Sequence, residues 1–81
     1  MNRALAAVSD ETRLSILLRL RKGEMCACEI PALVGVSQPA VSQHLAVLLC
    51  TKLVNVRVAG RMWLYSLSAK GKRVIDDIEN W

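Results

Sequence analysis

Ser37-Gln38-Pro39-Ala40-Val41-Ser42-Gln43-His44-Leu45, continued by Ala46-Val47-Leu48-Leu49, decides how the rest of this chain is read. Ser37 is the expected N-cap, because a serine hydroxyl can accept from the unpaired amides of a first helical turn. Val41, Leu45, Leu48 and Leu49, at spacings of four, three and one, form an apolar face and turn Pro39, Ala40, Gln43 and Val47 away from it. Just upstream a brief helix is expected from Glu29 to Val34, since Pro31 is tolerated only in a first turn, and Gly35 supplies the sharp turn between the two. Two short helices about a glycine make a helix-turn-helix candidate.

Toward the N-terminus, residues 2–8 suit a first helix with Leu5 and Val8 on one side. Ser9 is the expected cap of a second, which carries Leu14, Ile16, Leu17, Leu18 and Leu20 and ends at Lys22-Gly23. Five such residues cover more than one stripe, as a central helix contacted on two sides requires. Met25-Cys26-Ala27-Cys28 reads either as a short extended segment or as the lead into a helix. Toward the C-terminus, Val54, Val56 and Val58 alternate with Asn55, Arg57 and Ala59, the period of a half-buried strand. Ala59-Gly60-Arg61 is the turn, and Met62 to Leu67 return as the second strand of a ribbon tipped by a cation. Ser68 can cap a last helix, where Val74, Ile75, Ile78 and Trp81 recur at helical spacing.

Composition narrows the function. Eighty-one residues make one domain, 1–81, and exclude a two-domain enzyme. With 53% hydrophobic residues and a mean hydropathy of +0.30, the chain is too apolar to be disordered and greasy for a free monomer, so a homodimer is expected. Aromatics are only 4%, too few to stack the bases of a single strand. Residues 1–75 hold eleven Lys or Arg against four acids, about +7, while Asp76, Asp77 and Glu79 crowd the end. That balance suits phosphate. The uncharged stretch Ile30–Thr51 contains two prolines, a glycine and polar amides, so it is not expected to span a membrane. The N-terminus lacks the apolar run of a signal peptide, which points to the cytoplasm and to reduced cysteines. No glycine-rich phosphate cradle and no nucleophile beside a base is found, so catalysis is not expected.

Helix, helix-turn-helix, then a basic-tipped hairpin is the order of a winged helix-turn-helix, mainly α with one β-hairpin. In that arrangement the second helix of the motif enters the major groove of double-stranded DNA by its N-terminal end, where Gln38, Ser42 and Gln43 can reach base edges and Ser37, Ala40 and His44 flank them. Glutamine pairs bidentately with adenine, so A·T steps are plausible targets. The helix carries no Lys or Arg, so phosphate contacts fall to Arg57 and Arg61 on the ribbon, helped by Lys52. His44 has no acid within helical reach to orient it as a base and reads as a groove or flank contact.

The chain resembles the ArsR/SmtB family of winged-helix, metal- and metalloid-responsive repressors. The resemblance is carried by Val8-Ser9-Asp10-Glu11-Thr12-Arg13-Leu14-Ser15-Ile16-Leu17, Gly23-Glu24-Met25-Cys26-Ala27-Cys28-Glu29-Ile30, Ser37 to Leu45, and Gly60-Arg61 to Tyr65-Ser66-Leu67. It implies a homodimer joined by the first and last helices, through Leu5, Val8, Val74, Ile75, Ile78 and Trp81, on a partly palindromic operator that is released when an ion or other signal is sensed. One departure is local: where relatives have Arg-Glu-Ala-Gly, this chain has Leu49-Cys50-Thr51-Lys52. If Lys52 must turn left-handed there, roughly 1 kcal/mol of strain is expected.

Cys26-Ala27-Cys28 matches the family's Cys-x-Cys sensor element, which implies arsenite-like As(III) or a soft divalent ion such as Cd or Pb as the signal. In a helix, positions i and i+2 diverge by about 200°, so the two thiolates can clasp one ion only if the segment is not yet helical. The third cysteine of the arsenic-sensing pattern is replaced by Pro31. Cys50, at the far end of the reading helix, is an unlikely third ligand and reads as a small buried apolar residue. A two-thiolate site, completion by an exogenous thiol and no metal all remain open. Soft-ion sensing ranks ahead of a structural pair, and redox sensing through the same thiols comes third. Zinc ligation on the last helix needs histidines that residues 69–81 lack. The rival from another class is a winged-helix protein-interaction module without DNA binding.

Overall fold

The computed structural model describes the backbone of residues 3–80 and the side chains of residues 6–80. The Leu5 side chain and Trp81, both expected at a dimer seam, lie outside the described residues. Five helices and three strands follow in the order α1 (Arg3–Val8), α2 (Glu11–Leu20), β1 (Met25–Cys26), a 3-10 turn (Ala27–Glu29), α3 (Ile30–Val34), α4 (Gln38–Cys50), β2 (Val54–Ala59), β3 (Met62–Leu67) and α5 (Ala69–Glu79). This is the mainly helical winged architecture expected.

Burial of aliphatic faces holds it together. Ile16 and Leu17 of α2, Ile30 of α3, Val41 and Leu48 of α4, and Leu53 after it are at most 1% exposed. Each such side chain contributes about 1.5–3 kcal/mol of transfer free energy. Tyr65 is the one aromatic among the buried residues. Val47, expected to face away, is half-buried against this core, and Leu18 is exposed rather than covered.

Several local expectations shift by a residue or a partner. The cap of α2 is Asp10, not Ser9: the Asp10 carboxylate accepts from Arg13 N at 3.1 Å, while Ser9 Oγ donates back to Ala6 O at 2.7 Å. A carboxylate is the stronger acceptor and also meets the positive helix end. The ambiguous thiol segment splits, with Met25–Cys26 extended and Ala27–Glu29 in a 3-10 turn. Its extended half adds a third strand to the expected ribbon. The sheet order is β1-β3-β2, all antiparallel, with Met25 opposite Tyr65 and Cys26 opposite Leu64. The hairpin loop is only Gly60-Arg61, since Ala59 pairs with Met62. A positive φ at Gly60 alone (63°) is the pattern of a type II′ turn, whose twist matches the strands.

At the C-terminus, Ile75 is 0% exposed within its own protomer, and Val8 is buried as well. Both side chains are thus covered within the chain itself. Val74 and Ile78 are half-buried at the margin of the core. Among the described residues no single helix is long and apolar enough to cross a membrane, and the apolar pair Ala27–Val34 and Gln38–Cys50 is bent by 111°.

Candidate nucleic-acid interface

Gly35, left-handed at φ 73°, stops α3 and swings the chain into Ser37, whose Oγ accepts from Ala40 N at 3.3 Å to start α4. Val41, Leu45 and Leu48 bury the inner face of α4. The opposite face of its N-terminal half is left to solvent: Ser37, Gln38, Ser42 and Gln43 are exposed, with Ala40 and His44 half-buried beside them. Four of the six expected reading residues therefore share one open surface with no formal charge. Tertiary packing adds an acid that α4 itself does not supply. The Asp10 carboxyl lies below the ordinary carboxylate range chiefly because it accepts from the Arg13 amide, with a smaller electrostatic contribution from His44.

The far end of α4 is anchored heavily. Lys52 takes φ 65°, Lys52 N donates to Leu49 O, and Leu53 N donates to Leu48 O, the two bonds of a Schellman motif. The left-handed lysine expected from the missing glycine is thus present. Lys70 Nζ donates to Thr51 O at 2.8 Å and Ser68 Oγ donates to Lys52 O at 2.7 Å, so α5 satisfies carbonyls that the helix end leaves unpaired. Ser68 Oγ also accepts from Gly71 N at 2.9 Å. The side chain of Lys52 is exposed but lies roughly 20 Å along the helix axis from Gln38, so it is not brought to the reading surface.

The wing is the part of the hairpin that leaves the three-stranded sheet. Val58 is 61% exposed and Trp63, opposite it, 54% exposed. Arg61 at the tip is exposed and makes no ion pair among the described residues. Arg57 differs from the expectation. Its Nε and Nη2 donate to the two carboxylate oxygens of Glu24, each at 2.8 Å. That bond holds the Glu24 carboxyl below its usual range. Arg57 therefore has a partner already, and Glu24, 33 residues away, was invisible to local pattern.

Within Cys26-Ala27-Cys28 the backbone folds back on the first sulfur. Cys28 N donates to Cys26 Sγ at 3.3 Å, and Glu29 Oε1 accepts from Cys26 N at 3.2 Å in a capping box. A hydrogen bond with Cys26, aided by partial burial, pushes the Cys28 thiol up. Cys26 is 5% exposed and Cys28 is exposed, so a soft ion would arrive at Cys28. The condition set for a two-sulfur clasp is met only in part, since Cys26 is extended while Cys28 already lies in the 3-10 turn. Among the described residues no three His, Cys, Asp or Glu converge to hold a metal ion. Cys50 is exposed, not buried as expected, and borders a groove with Ala6, Ala46 and Val47 between α1 and α4.

A helix-turn-helix with an open polar reading surface and a cation-tipped wing defines a DNA-binding transcription regulator. Residues 10–56 match the family model described as bacterial regulatory protein, arsR family. The chain is 35% identical over 81 residues to the transcriptional repressor SdpR of Bacillus subtilis, covering all of this chain and 87% of that protein. It is 39% identical over 75 residues to the arsenical resistance operon repressor of Escherichia coli, covering 86% of this chain and 64% of that one. Among solved structures, reduced HlyU from Vibrio cholerae superposes with a TM-score of 0.86 at 35% identity, over 96% of this chain and 83% of that one. The chain belongs to the arsR family of bacterial regulatory proteins. These relatives are transcription regulators and not enzymes, in keeping with the missing catalytic constellation. The chain spans about half to nearly nine tenths of the length of the curated relatives it matches.

Proposed function

We propose that this chain is a cytoplasmic transcriptional repressor that sets the N-terminal half of α4 in the major groove of an operator and the Arg61 tip of the wing on the phosphate backbone. The observation that carries this reading is the open, uncharged surface of Gln38, Ser42 and Gln43, flanked by Ser37, Ala40 and His44, in a chain whose wing-tip cation Arg61 makes no ion pair among the described residues. Uncharged amides read bases and a cation grips phosphate, so sequence preference and salt dependence reside in different residues. Lys52 has a lesser part by its position, and Arg57 is held by Glu24. The repressor acts as a homodimer on a partly palindromic site. Its seam includes Val74 and Ile78 of α5.

Release follows when As(III) or a soft divalent ion such as Cd or Pb reaches Cys26 and Cys28. The support is the paired thiols and the likeness to an arsenical resistance operon repressor. A soft ion bound there supplies thiolate ligation, and it would displace the hydrogen bond that caps the 3-10 turn leading into α3. The direct test is titration of a duplex selected from a random pool. Nanomolar-range affinity that falls steeply with salt supports the reading, and salt-insensitive failure to prefer any duplex contradicts it in favour of a protein-interaction module. Arsenite, cadmium, lead and zinc are then added to the complexes of the parent protein and Cys26→Ser/Cys28→Ser. Identical release from both would remove the thiol pair from the account.

A further inference from the structure

The ion pair of Glu24 and Arg57 lies at a particular place in the sheet. Register puts Cys26 of β1, Leu64 of β3 and Arg57 of β2 in one row, since Leu64 faces Cys26 on one side and Arg57 on the other. This is the last row with three strands. The row before it, Met25, Tyr65 and Val56, is packed against the core. Beyond it only Val58 with Trp63 and Ala59 with Met62 remain, a two-stranded projection whose large side chains are exposed. A bare two-stranded hairpin is marginally stable in water, so the angle of the projection must be set at its base. Glu24, two residues before Cys26, reaches diagonally over β3 to Arg57, two strand spacings across and two residues along, a span of about 12 Å. The contact is bidentate, which fixes orientation as well as distance.

We infer that Glu24 is a positioning residue for the wing: acting through Arg57, it braces the hairpin at the row where it leaves the sheet and ties it to the segment that carries Cys26 and Cys28. Arg57 then serves as the strut's other half and not as a phosphate contact. The inference rests on the DNA-binding reading above for its purpose and on the thiol-sensing reading for its signal. Movement of β1 at Cys26 is handed to the far strand of the wing through this ion pair, in addition to the β1–β3 ladder.

The test uses Glu24→Gln, Arg57→Gln and the double variant in the full chain carrying Trp81→Phe, so that Trp63 is the sole tryptophan. Without ligand, both single variants are expected to lower the fluorescence anisotropy of Trp63 by the same amount, and the double variant by no more. Each should weaken binding to the selected duplex several-fold while leaving the salt slope of the parent unchanged. A slope reduced by about one in Arg57→Gln alone would make Arg57 a phosphate contact and overturn the inference. Unaltered Trp63 anisotropy in Glu24→Gln would overturn it as well. The exchanged pair Glu24→Arg/Arg57→Glu should recover the anisotropy, and lack of recovery counts against a strut. Arsenite is expected to protect the thiols from a disulfide reagent in both parent and Glu24→Gln, and to change Trp63 emission more in the parent than in Glu24→Gln. An equal change in both refutes the coupling. Absence of thiol protection removes the sensing reading instead, while the ligand-free measurements still decide the strut.

Discussion

The two ends of α4 are built on opposite plans. At its start, a single bond from Ala40 N to Ser37 Oγ at 3.3 Å is the side-chain support, and the polar side chains beyond it face solvent. At its end, a Schellman turn, the Ser68 hydroxyl and the Lys70 ammonium all hold the last carbonyls, and α5 packs so close that a Cβ on Gly71 would run into the Leu53 carbonyl oxygen. A helix fixed at one end can present the other without needing contacts there. The anchored end governs stability, and the open end is the one proposed for recognition.

That contrast can be broken most severely at Gly71. Gly71→Ala must move either Leu53 or α5, and a loss of about 1–3 kcal/mol is expected in urea denaturation. A neutral result would mean that α5 does not clamp α4. Next in size, Ser68→Ala removes both the donor to Lys52 O and the cap acceptor for Gly71 N, and is expected to cost about 1–3 kcal/mol. Ser37→Ala, at the open end, should cost about 1 kcal/mol or less and yet impair DNA binding. If Ser37→Ala proved the more destabilising of the two, the comparison would be reversed. Smallest and opposite in sign, Lys52→Gly relieves a left-handed backbone and should raise stability by about 0.5–1 kcal/mol, measured the same way.

Much of this arrangement was legible in the sequence because it is periodic. The apolar spacing of Val41, Leu45 and Leu48 gave α4 its inner face, and the alternation after Leu53 gave the hairpin to within a residue. Lys52 was legible too, since a missing glycine at a helix end leaves a specific conformational demand. What escaped depends on partners distant in the chain. Nothing near Arg57 announces Glu24, and nothing near Gly71 announces the Leu53 carbonyl. A two-residue strand such as Met25–Cys26 has no period of its own and exists only because Tyr65 and Leu64 lie beside it. Cys50 was expected to be buried because its type usually is, but its place on α4 turns it outward. Asp10 prevailed over Ser9 by acceptor strength between adjacent candidates, which spacing does not rank. For the candidate site, the open placement of Gln38, Ser42, Gln43 and Arg61 was legible on α4 and the wing, whereas the engagement of Arg57 was not.

The central claim is that bases are read by the uncharged half of α4 and phosphates are held by the wing tip. It is tested most directly by comparing Gln43→Ala and Arg61→Ala on the preferred duplex and on single-base variants of it across a salt series. The account predicts that Gln43→Ala loses about 1–3 kcal/mol of discrimination at one base position with the salt slope retained, while Arg61→Ala weakens all duplexes alike and lowers the slope by about one. Uniform weakening by Gln43→Ala, with base preference lost through Arg61→Ala, would contradict it.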